Sequence, residues 1–308
     1  MTHTSALRWV GAGLLVAGLA LTTATPVSGS PTAASPRDVA ALSATKATLD
    51  QAAATRPESV TGWYVDPATT SVVVSVHGSA DGVLEWAADA VPAAAGTVTV
   101  EHVAEAPRLV WNLISGQEIH SASGTRCTLG FNARAGATRY VLSAGHCVSA
   151  ASSWYGVGGY IGSSAGSSFP GNDYGLIRVE SAAALSTPLV DRYTSGGDVT
   201  ITGATSPPVG SSVCYSSPVT GWRCGSVTGV NQTLCYPEGC VYQLIRSNVC
   251  SEPGTSGAPV VTNPGSGTTV RAVGMVSGGS GNCTSGGTTW IQPIAEPLAA
   301  YGLTLYTG

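Results

Sequence analysis

All eight cysteines of this 308-residue chain lie after residue 126: Cys127, Cys147, Cys214, Cys224, Cys235, Cys240, Cys250 and Cys283. An even number of cysteines reserved for one part of a chain limits what that part can become. Disulfides tie distant backbones together and persist only in an oxidising compartment. Metal binding by clustered thiolates is the competing reading, but no Cys-x-x-Cys pair occurs and the spacing is irregular, so no metal is called for. Each unstrained disulfide that closes a loop of about 20 residues stabilises by about 3 kcal/mol. The amino terminus agrees with export. In residues 1–30 a lone Arg8 precedes the apolar run Trp9 to Leu21, which is too short to span a bilayer, and the small residues Ala24, Ser28, Gly29 and Ser30 follow. These features read as a signal peptide, and no later run is long enough for a transmembrane helix. The expected product is secreted and free of the membrane once the signal is removed.

Texture divides the remainder in two. Residues 31–113 read as a small, cysteine-free α+β module. A helix is predicted around Val39 to Ala54, a β-branched strand at Ser71 to Val76, a second helix at Val83 to Ala90 and another strand at Gly96 to Val103. From Ile114 onward, short apolar strands such as Arg139 to Ser143, Gly175 to Val179 and Val270 to Val276 alternate with Gly, Ser, Pro and Asn turns. That rhythm predicts an all-β sandwich or barrel pair, with one helix at the tail, Ile294 to Tyr301. Charge follows the same division. Lys46 is the only lysine, and beyond residue 113 eight arginines balance eight acids. Neither part carries the basic patch that nucleic-acid binding requires.

Three polar residues stand in settings of their own: His146 in Leu142-Ser143-Ala144-Gly145-His146-Cys147, Asp173 in Asn172-Asp173-Tyr174-Gly175-Leu176-Ile177, and Ser256 in Pro253-Gly254-Thr255-Ser256-Gly257-Ala258-Pro259. Taken singly, each has an ordinary structural explanation. Together they supply what an unreactive hydroxyl needs, namely an adjacent base and a carboxylate to orient that base. Gly254 and Gly257 let the backbone around Ser256 bend, so the N–H groups of Gly254 and Ser256 become candidates for an oxyanion hole. The order His, Asp, Ser is that of the chymotrypsin-like arrangement, and Gly254-Thr255-Ser256-Gly257 does not match the Gly-x-Ser-x-Gly elbow of an α/β-hydrolase esterase.

These three segments resemble the bacterial branch of the chymotrypsin-like serine proteases, the streptogrisin and α-lytic protease group. Ile114-Ser115-Gly116 is similar to the mature start of streptogrisins, and Met275 to Cys283, continuing to Thr289, is similar to their substrate-binding wall. Gly62-Trp63-Tyr64-Val65-Asp66 is similar to the pro regions of the group. The resemblance implies a pro region over 31–113 that assists folding and inhibits, followed at 114–308 by two six-stranded antiparallel β-barrels with the triad between them. It implies His146 as general base and acid, Asp173 as its orienter, Ser256 as nucleophile, Ser277 as a hydrogen-bond partner near Asp173, and Ser277, Gly278 and Gly279 as the edge on which substrate pairs. It also implies disulfides Cys127–Cys147, Cys214–Cys224 and Cys250–Cys283, which leaves Cys235 and Cys240 to each other. The implied partners are polypeptide substrates and the chain's own pro region, in a monomer that needs no cofactor.

The chain also departs from the group. The usual turn reads Gly-Asp-Ser-Gly-Gly; here it is Gly254-Thr255-Ser256-Gly257-Ala258, and the arginine that pairs with the missing aspartate is replaced by Tyr215. Replacing both members of a buried pair can be neutral. The expectation is that Thr255, Tyr215 or nearby polar groups hold the turn by neutral hydrogen bonds; the alternative is a catalytically weak protease-like binding protein. Where glutamate-specific relatives carry a histidine before the serine matching Ser277, this chain has Val276, and no acid marks a pocket base. Cleavage after large apolar residues is therefore expected, and Leu113–Ile114 is the expected maturation junction.

Overall fold

The computed structural model describes residues 35–308, so the signal-peptide reading lies outside the described residues. The chain forms two compact units that divide between Pro107 and Arg108.

The first unit begins with a helix, Pro36–Gln51, whose start is built as a capping box. Asp38 N–H donates to Ser35 Oγ at 3.3 Å and Ser35 N–H donates to Asp38 at 3.1 Å, with Pro36 in the first turn. Leu42, Thr45 and Leu49 fall on one face at spacings of three and four and are buried. They cover a three-stranded sheet of Val60–Asp66, Ser71–Val76 and Val98–His102, in that order. The last two strands run parallel because the helix Val83–Ala90 crosses between them. Sheet and helices close over Val72, Val74, Val76, Val83 and Trp86, which explains why the middle strand is almost continuously β-branched.

The second unit is built from two sheets. The barrels expected from the sequence have their counterpart in these two curled sheets, in which hydrogen bonding connects eight strands and nine strands. Additional strands come from segments that read as connections. Trp111–Ser115 lies parallel to Ala184–Val190 at the edge of the nine-stranded sheet, and Thr304–Leu305 pairs with Phe131–Ala135 at the edge of the eight-stranded one. Phe131, Leu142, Tyr174, Val199, Val261 and Met275 pack in one cluster drawn from both sheets, so the sheets share a core.

The disulfides join Cys127 to Cys147, Cys214 to Cys224, Cys235 to Cys240 and Cys250 to Cys283. Cys214–Cys224 and Cys235–Cys240 bridge directly paired strand positions. One helix escaped the sequence reading. Gly145–Val148 is a single turn that carries His146, too short for any periodic signal, and it is held by the disulfide at Cys147.

Candidate active site

The one-turn helix begins where the strand Thr138–Ser143 ends. Gly145 is required there, because a Cβ would come within 2.5 Å of the Ser168 carbonyl and 2.9 Å of the Tyr174 backbone. The helix is thereby pressed against the segment that carries Asp173, which leads into the strand Tyr174–Val179. His146 N–H donates to Asp173 Oδ1 at 2.9 Å, and His146 Nδ1 lies 2.9 Å from Oδ2 and 3.1 Å from Oδ1. Ser277 Oγ donates to Oδ2 at 2.6 Å. Asp173 has no exposed surface, and a buried carboxylate is tolerable only with its oxygens satisfied in this way. The pairing puts the histidine proton on Nδ1 and leaves Nε2 free to accept one.

A second layer holds the aspartate itself. Its backbone N–H donates to Gln292 Oε1 at 2.7 Å, and the buried Gln292 donates from Nε2 to Glu296 at 2.5 Å. Burial pushes the Glu296 carboxyl above its ordinary value against the opposing effect of the Gln292 bond. Neither residue was legible in the sequence, since both come from the far end of the chain and carry no motif.

Ser256 and His146 open onto one cavity of about 310 Å³, shared with Phe169, Tyr236, Glu238, Ser277 and Gly278. Among the described residues no hydrogen bond joins Ser256 Oγ to His146, a separation common in unliganded sites that tightens once substrate is bound. The turn around Ser256 is tightly tied. Gly254 and Gly257 have φ of +95° and +84°, and a Cβ on Gly257 would lie 2.0 Å from Ser143 Oγ. Thr255 N–H donates to the Glu252 carbonyl, Gly257 N–H to Val276, and the Ser256 carbonyl accepts from Thr128 N–H. The N–H groups of Gly254 and Ser256 donate to nothing among the described residues. Two open donors, one on the serine itself and one two residues before it, are the kind of pair a developing oxyanion requires.

The altered turn is satisfied without charge. Thr255 is 3% exposed and Tyr215 1% exposed. Thr255 Oγ1 donates to the Glu252 carbonyl at 2.8 Å, while Tyr215 Oη lies 2.9 Å from both the Cys250 carbonyl and Thr220 Oγ1. The two hydroxyls therefore hold the loop 250–255 from separate points and do not bond to each other. Burial raises the Tyr215 phenol, so it stays a donor.

Sequence reading missed the aromatic side of the site. The His146 and Phe169 rings meet edge-on at 5.6 Å, and Phe169 and Tyr236 lie 6.0 Å apart. Tyr236 Oη is 3.1 Å from Ser277 Oγ, which extends the chain of hydroxyls reaching Asp173. Burial, helped by the charge of Asp173, pushes that phenol up against the lowering effect of the Ser277 bond. The signal available in sequence was the short Cys235–Cys240 spacing, which marks a stapled hairpin with Tyr236 at its tip.

Comparison with known proteins places this chain in a lineage. Residues 37–99 match the family described as the α-lytic protease prodomain. Streptogrisin-A of Streptomyces griseus is 40% identical over 248 residues, covering 80% of this chain and 78% of that protein. The chain belongs to the streptogrisin family of serine proteases. Streptogrisin-C of the same organism is also 40% identical, over 263 residues that cover 85% of this chain but 54% of that longer relative. The crystal structure of Thermobifida fusca Protease A superimposes with a TM-score of 0.57 at 42% identity, covering 64% of this chain and all of the other. The prodomain match falls within the first unit, and the relatives are serine proteases with pro regions, which supports a serine protease made as a zymogen.

Proposed function

We propose that this chain is the precursor of a secreted serine endopeptidase that cleaves polypeptides after large apolar residues. The observation that carries the reading is the fully buried Asp173 bonded at once to His146 Nδ1, His146 N–H and Ser277 Oγ. An aspartate so held gives the imidazole one tautomer and one direction. Ser256 Oγ attacks the substrate carbonyl carbon as its proton passes to His146 Nε2. The negative oxygen is received by the N–H groups of Gly254 and Ser256. As the intermediate collapses, His146 returns the proton to the leaving amine, and water then hydrolyses the acyl-enzyme by the same route. The substrate lies extended along Ser277 to Gly279, adding a strand to that edge. Ser251, which faces Gly279 of this edge, and the neighbouring Val276 and Thr289 are neutral, which supports an apolar preference. The neutrally bonded loop around Thr255 favours the enzyme over the binding-protein reading.

The position of the maturation cut follows from accessibility. Leu113 is fully buried, and its carbonyl accepts from Asn132 Nδ2 and Thr187 Oγ1, each at 2.8 Å. A cut at Leu113–Ile114 would have to peel that strand from its sheet. Residues 103–110 have no regular structure, and Leu109 and Val110 are 93% and 58% exposed. The proposed organisation is a signal at 1–30, a pro region at 31–113 and the protease body at 114–308, with the exposed Leu109 and Val110 offering an accessible first cut before trimming to Ile114.

Labelling with a fluorophosphonate tests the reading. The processed protein should react and its Ser256→Ala variant should not, and the amino terminus of the labelled band should be Val110 or Trp111 after a first cut and Ile114 after full maturation. A folded, processed protein that fails to label would move the binding-protein reading to the front.

A further inference from the structure

The cavity that holds Ser256 and His146 contains an acid that the proposed chemistry does not use. Glu238 is exposed at the tip of the hairpin formed by Gly221–Tyr236 and Gly239–Ser247, and it lines the cavity together with Phe169 and Tyr236. Among the described residues Glu238 forms no hydrogen bond or ion pair, and no lysine or arginine lines the cavity. The tip is held in place from three directions. Cys235–Cys240 closes it, Gly171 N–H donates to the Cys240 carbonyl at 2.9 Å while Tyr242 N–H donates to Gly171 at 3.0 Å, and Tyr236 Oη meets Ser277 Oγ. An unpaired carboxylate on a fixed support, at the mouth of an aromatic-walled cavity, suits a long side chain with an apolar stem and a cationic head.

The position of that side chain follows from strand geometry. A substrate paired with Ser277 to Gly279 presents successive side chains to opposite faces. The edge itself has two such faces, since a Cβ on Gly279 would meet Ser251 Oγ and one on Gly278 would meet Tyr236 Oη, and the proposed binding mode sets the acyl residue on the Ser251 face. The residue immediately before it therefore faces His146, Phe169, Tyr236 and Glu238. We propose that Glu238 is a specificity-determining residue, which selects arginine or lysine at the position just before the acyl residue. The selection has a catalytic consequence, since His146 becomes positively charged as Ser256 is acylated. A second cation in the same cavity opposes that charge unless an acid offsets it, and Glu238 is the acid available.

The inference rests on the protease reading, and the test keeps the two apart. The processed enzyme and its Glu238→Gln and Glu238→Arg variants are given peptides that differ only at the residue before the acyl residue: arginine, citrulline (its uncharged near-isostere) or glutamate. For the parent enzyme, kcat/KM for arginine should exceed that for citrulline by about two- to fivefold at low ionic strength, the range of exposed ion pairs. The ratio should fall to about one in Glu238→Gln and fall with added salt in the parent. In Glu238→Arg the glutamate peptide should overtake the arginine peptide. Cleavage with an arginine-to-citrulline ratio that Glu238→Gln leaves unchanged would overturn the proposal while leaving the protease reading intact. Absence of cleavage together with absence of fluorophosphonate labelling would overturn both.

Discussion

Restoring the usual aspartate next to the nucleophile should damage this protein. Thr255→Asp places a carboxylate at a site 3% exposed, where the nearest replacement for the family's arginine is the uncharged Tyr215. The variant also loses the Thr255 Oγ1 bond to the Glu252 carbonyl and sets a carboxylate against that carbonyl oxygen. An uncompensated buried charge costs about 3–5 kcal/mol, and the lost hydrogen bond about 1 kcal/mol more. Against a typical domain stability of about 5–15 kcal/mol, that is a large fraction. The penalty has a defined pH dependence. Burial raises the folded-state pKa of the new acid above its unfolded value of about 3.9, so the folded form binds the proton more tightly. The cost is therefore absent below about pH 4, grows as pH rises through the window up to the raised value, and is constant above it. The assay is the unfolding rate in guanidinium, followed by tryptophan fluorescence in a Ser256→Ala background that prevents self-digestion. If the whole cost of about 4–6 kcal/mol appears in the unfolding step, the rate rises by about 10³ to 3 × 10⁴ at pH 7, and much less at pH 4. Adding Tyr215→Arg should recover most of the loss, because the pair would then be complete. A Thr255→Asp protein that unfolds within threefold of its parent at pH 7 would refute the idea of a neutral latch, as would a double variant no better than the two single effects combined.

Two further outcomes follow from the layers behind His146. Asp173→Asn should leave the fold intact but lower kcat by about 10⁴, the loss known when a triad histidine is held in the wrong tautomer; a loss below tenfold would mean that Asp173 does not orient the base. Glu296 has a raised pKa through burial, so its ionisation costs stability as pH rises from 4.5 through the raised value. Glu296→Gln should remove that decline and flatten the melting temperature across this window, while an unchanged pH profile would show that the carboxyl is not buried in its charged form.

Much of the chemistry was legible in the chain because it resides in local backbone requirements. Glycines beside Ser256, a cysteine after His146 and a strand after Asp173 are demands of turn and strand geometry that neighbouring residues express. The helices and strands of the pro region were legible for the same reason, since buried faces repeat at periods of 3.6 or 2. A one-turn helix has no period, so Gly145–Val148 stayed hidden, as did the edge strand Trp111–Ser115.

What the sequence determined by itself was the order of His146, Asp173 and Ser256 along the chain, the reservation of all eight cysteines for one part of it, and the neutral pair Thr255 and Tyr215. Only the tertiary structure decided what surrounds them. Gln292 and Glu296 reach Asp173 across 119 residues or more, and the Cys235–Cys240 hairpin brings Tyr236 and Glu238 to the mouth of the site. Contacts of that span depend on how two sheets close on a shared core. No local window of residues carries that information, because the side chains that meet there satisfy one another's hydrogen bonds and charges only after the chain has folded.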